Sequence, residues 1–176
     1  SDNIRATAKF EFDDGELVPV GKTLSYEDGL HMRREVELVD QVVMSVAGGA
    51  RARHGRSAVD LVVTGATFDA LESLAVQDEL RPVGWPDDRN PRGRDYIAEG
   101  RFFSPAEVLS GADICVLGHQ TAEDLFQGDR ALDQIVWVNR QRCTVVGVLA
   151  ELESNDPLQN LRGTPNVALY LPISTA

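Results

Sequence analysis

The segment at residues 135–149, IVWVNRQRCTVVGVL, constrains the fold more strongly than any other part of the chain. Its two runs of mainly β-branched residues, 135–138 and 143–149, flank a polar stretch that begins with Asn139. This pattern is typical of a β-hairpin with Asn139 at the turn. Because a sheet built from hairpins contains antiparallel pairs, the segment favours an α+β domain over a doubly wound parallel sheet.

Other segments alternate between strand and helix patterns. We expect further strands at residues 6–12, 39–46, 58–64, 113–117 and 167–172. We expect helices at residues 25–36 and 67–74, and in the segments SPAEVL (104–109) and GHQTAEDLFQG (118–128). The first strand should end at the turn DDGE, residues 13–16. Gly48 and Gly49 should interrupt the strand that begins at residue 39, before residues 58–64 pair back.

Two of the helices carry specific end signals. Ser104 is the expected N-cap, Pro105 takes the first helical position, and Glu107 completes a capping box. The following helix ends at Gly128. Its apolar face consists of Ala122, Leu125 and Phe126.

Residues 78–95, DELRPVGWPDDRNPRGRD, are expected to form a loop. Prolines, glycines and dense charge of both signs disfavour a helix or a central strand. A loop of this length is either functional or loosely ordered, and we expect it to be the most mobile segment. Trp85 either anchors the loop to the body of the domain or offers a contact to a partner. We favour the anchor, because one aromatic side chain does not make a patch.

The charge of the chain excludes some partners. A formal net charge of −11 and a pI near 4.6 argue against nucleic acid, which requires clustered lysine and arginine. The same charge disfavours an anionic membrane surface. No apolar run approaches the about 18 residues that span a bilayer. Because residues 1–5 are polar, we expect no signal peptide among them.

Two cysteines, Cys115 and Cys143, lie within apolar strand patterns. We expect buried free thiols rather than a disulfide, because a free cysteine packs as a small apolar side chain. Their expected neighbours are Val116, Val145 and Val146. This interpretation leaves the redox compartment open.

The sequence contains no assembled catalytic set. His31 falls in a predicted helix, His54 in a turn beside arginines, and His119 at a helix start. There is no G-x-S-x-G segment, and Cys143 lies in a strand, so acyl transfer is disfavoured. Residues 31–35, HMRRE, hold one i, i+4 His/Glu pair, which is common on solvated helices, so we expect no bound metal.

Nucleotide and glycoside chemistry are also disfavoured. The junction VLGHQT, residues 116–121, has a single glycine and no following Lys-Ser/Thr, and it predicts a tight strand–helix turn. Scattered acids on helices usually form a solvated face, and no sugar-stacking aromatics accompany them here. These acids are Glu107, Glu123, Asp124, Asp129 and Asp133. We therefore expect no enzyme activity and no catalytic, cofactor-binding or metal-binding residue.

Five segments in a fixed order carry a family resemblance. They are SYEDGLHMRREVELVDQVV, VVTGATFDAL, YIAEGRFFSPAEV, DICVLGHQTAEDLF and IVWVNRQRCTVVGVLAE. With the ending VALYLPIST, they make residues 24–176 resemble the extracytoplasmic (periplasmic) core domain of MacB-type, FtsX-like ABC transporter permeases. Each segment is a packing pattern, so the specificity comes from finding all five in register.

The resemblance implies an α+β domain carried between the first and second transmembrane helices of a permease. It implies a membrane-proximal lobe of βαβ units from both chain ends, residues 1–45 and 106–176. A second, inserted lobe would comprise residues 46–105. The domain would lie on the extracytoplasmic side of the membrane, anchored by transmembrane helices that are not among these residues.

The function that the resemblance implies is not catalytic. Paired permeases work with a cytoplasmic ATPase, and the domain relays the ATPase cycle to a substrate or partner outside the membrane. The implied partners are the rest of the permease, a second permease copy, the ATPase indirectly, and an adaptor or other extracytoplasmic protein; no cofactor is implied. The alternative is a stand-alone secreted binding module that uses residues 78–95 as its contact surface.

Within this family, the segment YIAEGRFF has structural roles. We expect Gly100 to turn the chain at a lobe junction, Phe102 and Phe103 to anchor it in two cores, and Arg101 to lie along the surface. Gly147 suits a bulge or the close approach of a neighbouring element.

Two features depart from the family pattern, the length of the loop at residues 78–95, which is greater than expected, and the turn of the hairpin. The family hairpin usually turns on Asn-Gly, whereas Arg140 follows Asn139 here. We therefore expect a longer or strained turn.

Overall fold

The computed structural model describes residues 8–13, 16–19, 45–77, 80–154 and 165–174. The strands in these ranges are β1 (Ala8–Asp13), β2 (Glu16–Pro19), β3 (Ser45–His54), β4 (Ser57–Ala66), β5 (Leu80–Pro82), β6 (Ile97–Gly100), β7 (Ile114–Leu117), β8 (Ile135–Val138), β9 (Gln141–Leu149), β10 (Leu152–Ser154) and β11 (Ala168–Pro172). The helices are α1 (Ala70–Gln77), α2 (Pro105–Ser110) and α3 (His119–Phe126), with 3-10 turns at Gly93–Tyr96 and Pro165–Val167. This part of the chain is therefore a mixed α/β domain made mostly of strands.

Strands β3, β4, β11, β7, β9 and β8 pair in a closed ring. β3 and β4 are antiparallel, β4 is parallel to β11, and β11 is antiparallel to β7. β7 is parallel to β9, and β9 is antiparallel to β8. β8 then pairs with β3, where Ala52 lies opposite Val138. Outside the ring, β1 and β2 extend from β3, and β6 borders β9.

The predicted hairpin is confirmed as β8 and β9, and its turn closes the ring. Contrary to the expectation of a longer connection, the turn has two residues, with Asn139 in the left-handed region at φ 52°. Asparagine tolerates this conformation because its short side chain bonds locally. The Asn139 N–H donates to the Arg51 carbonyl at 2.8 Å, and the Arg51 N–H donates to Asn139 Oδ1 at 3.1 Å.

Two apolar clusters lie on opposite faces of the ring strands. The ring core draws on all six ring strands and α3, and it includes Ala52, Leu61, Val63, Cys115, Leu117, Leu125, Phe126, Val136, Val138, Cys143, Val145, Leu169 and Leu171. The flank core includes Leu71, Leu74, Leu80, Tyr96, Phe103, Val108, Val116, Leu149, Leu152, Tyr170 and Ile173. Alternation of side chains along β4, β7 and β11 supplies both clusters from the same strands.

The structure corrects the expectation that Gly48 and Gly49 interrupt a strand. β3 continues through both glycines, and each pairs with β4, opposite Val63 and Val62 respectively. The turn to β4 occurs later, at Gly55, which has φ 57°. The full-length partner strand β4 supplies backbone bonds that outweigh the weak strand preference of glycine.

Residues 78–95 are not a loop throughout. Leu80–Pro82 forms β5, which pairs with β10, and Gly93–Tyr96 forms a 3-10 turn. The Tyr96 hydroxyl donates to the Leu80 carbonyl at 2.7 Å. The indole N–H of Trp85 donates to the Arg89 carbonyl at 2.8 Å, and the Arg89 guanidinium lies 4.9 Å from the ring centroid. Trp85 makes these contacts within the segment rather than with the body of the domain, so its expected anchoring role stays a prediction.

The helix signals are confirmed in detail. The Ser104 side chain accepts from the Glu107 N–H, the Glu107 carboxylate accepts from the Ser104 N–H, and Pro105 occupies the first turn. α3 ends at Phe126, after which Gln127 and Gly128 both have positive φ. The start of the helix expected at residues 67–74 is shifted, because α1 begins at Ala70 and runs to Gln77.

The expectation of free thiols is wrong. Cys115 on β7 and Cys143 on β9 form a disulfide with a Cα–Cα distance of 5.7 Å. Because β7 and β9 are adjacent and both side chains point into the ring core, the two sulfur atoms meet. The two sequence patterns do not reveal that these strands are neighbours.

The division into two lobes stays a prediction. Strands from the range assigned to the inserted lobe, β3 and β4, pair in one sheet with β7, β9 and β11 from the other range. The helix expected at residues 25–36 lies outside the described residues, as does most of the strand expected at residues 39–46.

Candidate functional site

The histidines in the described part of the chain are not gathered into a site. His54 Nδ1 lies 3.0 Å from the Ile135 carbonyl, and its ring centroid is 4.2 Å from that of Phe126. His119 Nε2 is 4.0 Å from the nearer Glu151 oxygen, at the surface. His31 lies outside the described residues. Within the described ranges, no group of three or more His, Cys, Asp or Glu side chains is placed to hold a metal ion.

The five acids that the sequence offered for glycoside chemistry are also dispersed. Asp124 accepts a bond from Gln120, and Asp133 lies 3.7 Å from Arg130 on an exposed turn. Glu107 is bound to Arg101 and to the cap of α2. Each therefore has a local structural partner or faces solvent, as expected for a solvated helix face.

The segment Gly100 to Phe103 begins at the end of β6, where this strand and its antiparallel partner β9 approach closely. We call this point the crossing of β6 and β9. Gly100 has φ 70°, and a Cβ there would overlap the Val146 carbonyl oxygen. Gly147 lies directly opposite Gly100, and a Cβ on Gly147 would overlap the Arg101 carbonyl. Both positions therefore exclude any side chain, as predicted for a turn and a close approach.

The two phenylalanines do not anchor separate cores. Phe103 is buried in the flank core, and Phe102 packs against the same cluster. Their ring centroids are 4.5 Å apart, and Phe102 meets Tyr170 of β11 edge-on at 5.9 Å. The two rings therefore link the segment to one core, beside strand β11 of the ring.

Arg101 joins this crossing to α2. Its guanidinium forms two bonds with the Glu107 carboxylate, at 2.7 and 2.9 Å. This bidentate pair lowers the pKa of Glu107 to about 2, with a smaller contribution from the bonds to Ser104. The sequence predicted a surface arginine and a capping glutamate, but it gave no sign that the two would pair.

The end of β11 is bonded to two neighbouring elements. β11 lies between β4 and β7, and all five of its residues are buried. Just beyond Pro172, the Ile173 N–H donates to the Ala66 carbonyl at 3.0 Å, and the Ser174 hydroxyl donates to the Val108 carbonyl. We call Ala66, Val108, Ile173 and Ser174 the exit clamp. It ties the chain that leaves β11 to β4 and α2.

A family model described as the MacB-like periplasmic core domain matches residues 1–176. The chain belongs to this family. The resemblance drawn from the five sequence segments is therefore confirmed. Separately, no helix in the described part of the domain is long and apolar enough to cross a membrane.

The domain is similar to parts of longer curated proteins. It is 22% identical over 126 residues to the uncharacterized ABC transporter permease YknZ of Bacillus subtilis (strain 168), a match that covers 72% of this chain and 27% of the relative. It is 41% identical over 56 residues to the probable export ATP-binding/permease protein MacB of Pseudomonas entomophila (strain L48), covering 31% of this chain and 8% of the relative. The matches thus span 27% and 8% of the length of these relatives.

Two solved structures share the fold. The extracellular domain of the noncanonic ABC-type transporter YknZ from Gram-positive bacteria superposes with a TM-score of 0.61 at 24% identity, covering 86% of this chain and 63% of that one. The periplasmic region of MacB from Actinobacillus actinomycetemcomitans gives 0.60 at 16% identity, covering 87% and 56%. Neither likeness identifies a ligand or partner for the domain.

Proposed function

We propose that this domain is a non-catalytic, extracytoplasmic part of an ABC transporter permease. In this proposal it couples the ATPase cycle in the cytoplasm to the movement of a substrate or partner protein outside the membrane. The observation that carries the proposal is the exit clamp. A domain that transmits motion needs a stiff connection, because a floppy linker lets a helix move without moving the domain.

The path from the exit clamp into the domain consists of direct contacts. β11 lies between β4 and β7 in the ring, so a displacement of its end acts on both neighbours together. The Ser174 bond to Val108 adds α2, and the Arg101–Glu107 pair connects α2 to the crossing of β6 and β9. Close-packed interiors transmit strain with little compression.

The disulfide supports an extracytoplasmic location. Disulfides persist in oxidising compartments and are rare in the cytosol, where thiols are kept reduced. The Cys115–Cys143 bond joins two ring strands in a buried position. The proposed partners are the transmembrane part of the same permease, a second permease copy, the ATPase indirectly, and an adaptor or other extracytoplasmic protein.

The proposal is tested by inserting a short Gly/Ser linker after Ser174 in the intact permease. The insertion leaves the exit clamp in place but removes the stiff connection beyond it. We expect folding and ATP hydrolysis to remain and transport or partner activation to be lost. The matched control places the same linker in the exposed turn at Gly55, between β3 and β4; we expect it to preserve transport.

Full transport with the linker after Ser174 would refute the mechanical role. That result would favour the alternative, a binding module that only presents a surface, because its surface is unchanged by the insertion. Loss of transport in both insertion variants would also count against the proposal, since it would show no special role for the end of β11.

A further inference from the structure

One face of the ring carries exposed apolar side chains. Helices α1 and α2 and the β5–β10 pair contribute to the flank core, on the side of β11 and β7. On β4 and β8, by contrast, Val62 and Ile135 are each 44% exposed and Trp137 is 42% exposed. A Cβ on Gly49 of β3 would meet nothing within 4 Å. The outward face of β4, β3 and β8 is therefore open.

Three side chains form a row across this open face. Trp137 on β8 lies opposite Arg53 on β3 and opposite Arg142 on β9. Residues opposite one another in a sheet project to the same face. Both arginines are exposed, whereas the adjacent Ala52 and Cys143 are buried on the other face. We call Arg53, Trp137 and Arg142 the Arg–Trp row.

The charges of this row are not neutralised within the described residues. Arg51, Arg101 and Arg130 each have a carboxylate within 4 Å, at 3.7, 2.7 and 3.7 Å respectively. No such ion pair is formed there by Arg53 or Arg142. The chain has 28 acidic residues against 17 basic ones. Two arginines that form no ion pair among the described residues therefore place positive charge on both sides of an exposed tryptophan in a chain that is acidic as a whole.

We propose that the Arg–Trp row is a docking surface for an acidic segment of a partner protein. A guanidinium binds a carboxylate through two parallel bonds, and arginine and tryptophan are the residues most enriched at interaction hot spots. Strands are about 4.8 Å apart, so the two arginines lie about 10 Å apart across β8. The complementary segment carries carboxylates at about that spacing with an apolar or flat group between them.

The backbone that carries the row is fixed by strand pairing, which lowers the backbone entropy lost on binding. β8 is paired on both sides, and the Asn139 turn is bonded to Arg51 of β3. An anionic bilayer fits less well, because an extended anionic surface would also face the acidic remainder of the chain. A narrow segment contacts the row alone, and the other charges are screened over about 8 Å at physiological salt.

The test measures, by fluorescence anisotropy, binding of a fluorescein-labelled peptide that repeats Glu-Leu-Ser. Its glutamates are three residues apart, which places the carboxylates about 9 Å apart on one face of an extended chain with leucine between them. We expect the 176-residue chain to bind this peptide, and to bind a peptide with Gln in place of Glu much more weakly. Arg53→Glu with Arg142→Glu, and separately Trp137→Ala, should weaken binding about tenfold or more. The control pair, Arg94→Glu with Arg130→Glu, changes the net charge equally and should leave binding unchanged.

A second measurement is independent of these substitutions. In NMR spectra, the indole N–H signal of Trp137 should shift on peptide addition, and that of Trp85 should not. Equal weakening by both double variants, or equal shifts of both indoles, would overturn the proposal. So would binding of the row to phosphatidylglycerol vesicles with no peptide binding, or self-association of the chain that Arg53→Glu abolishes. Any of these results leaves the mechanical function untouched.

Discussion

Removal of the Cys115–Cys143 disulfide gives a prediction whose size follows from the structure. The bond joins residues 28 positions apart. In the chain-entropy model, closing a loop of that length stabilises the folded state by about 3.6 kcal/mol at 25 °C. We expect the double variant Cys115→Ala/Cys143→Ala to lose about that amount. With a urea m-value of roughly 2 kcal/mol per molar, the unfolding midpoint should fall by roughly 1.8 M.

Urea unfolding, followed by circular dichroism, measures this loss on protein exported to an oxidising compartment. Unfolding the unaltered chain with and without reductant isolates the cross-link from the change in core packing. Thiol titration in denaturant should find no free thiol before reduction and two after it. Two free thiols in the exported, unreduced protein would refute the disulfide, and a loss below about 1 kcal/mol would refute the entropic estimate.

Two further predictions concern the crossing of β6 and β9. Glu107→Gln should lower stability at neutral pH, because it removes the charge that pairs with Arg101. The loss should be only about 1 kcal/mol, since Arg101 is exposed and solvent screens the pair. The folded pKa of Glu107 is depressed to about 2. Its contribution to stability is therefore complete above the ordinary pKa and is lost as the pH falls towards the folded pKa. Acid unfolding of Glu107→Gln beside the control Glu123→Gln checks this, and identical acid profiles would contradict it. Gly147→Ala should destabilise by about 1–3 kcal/mol, because the new Cβ overlaps the Arg101 carbonyl. Gly49→Ala, on the open face, should be near neutral in the same denaturation assay, and equal losses at both sites would disprove the close approach.

The sequence determined the local structure of this domain. Ser104 and Glu107 specify the start of α2 because capping bonds join residues three apart. The β8–β9 hairpin follows from alternating side chains around a residue that tolerates the left-handed region. The same local patterns, taken in order, carried the resemblance that the family match confirmed.

The tertiary structure decided which distant segments meet. The local sequence patterns do not indicate that Val138 of β8 pairs with Ala52 of β3. They likewise do not indicate that Leu80–Pro82 pairs with β10 or that Cys115 faces Cys143. The Arg101–Glu107 pair and the exit clamp likewise depend on the docking of α2. Backbone propensities act over a few residues, whereas strand order depends on how the whole chain buries both faces of its sheet. The Arg–Trp row is of this second kind, because its three side chains become neighbours only when β8 joins β3 to β9.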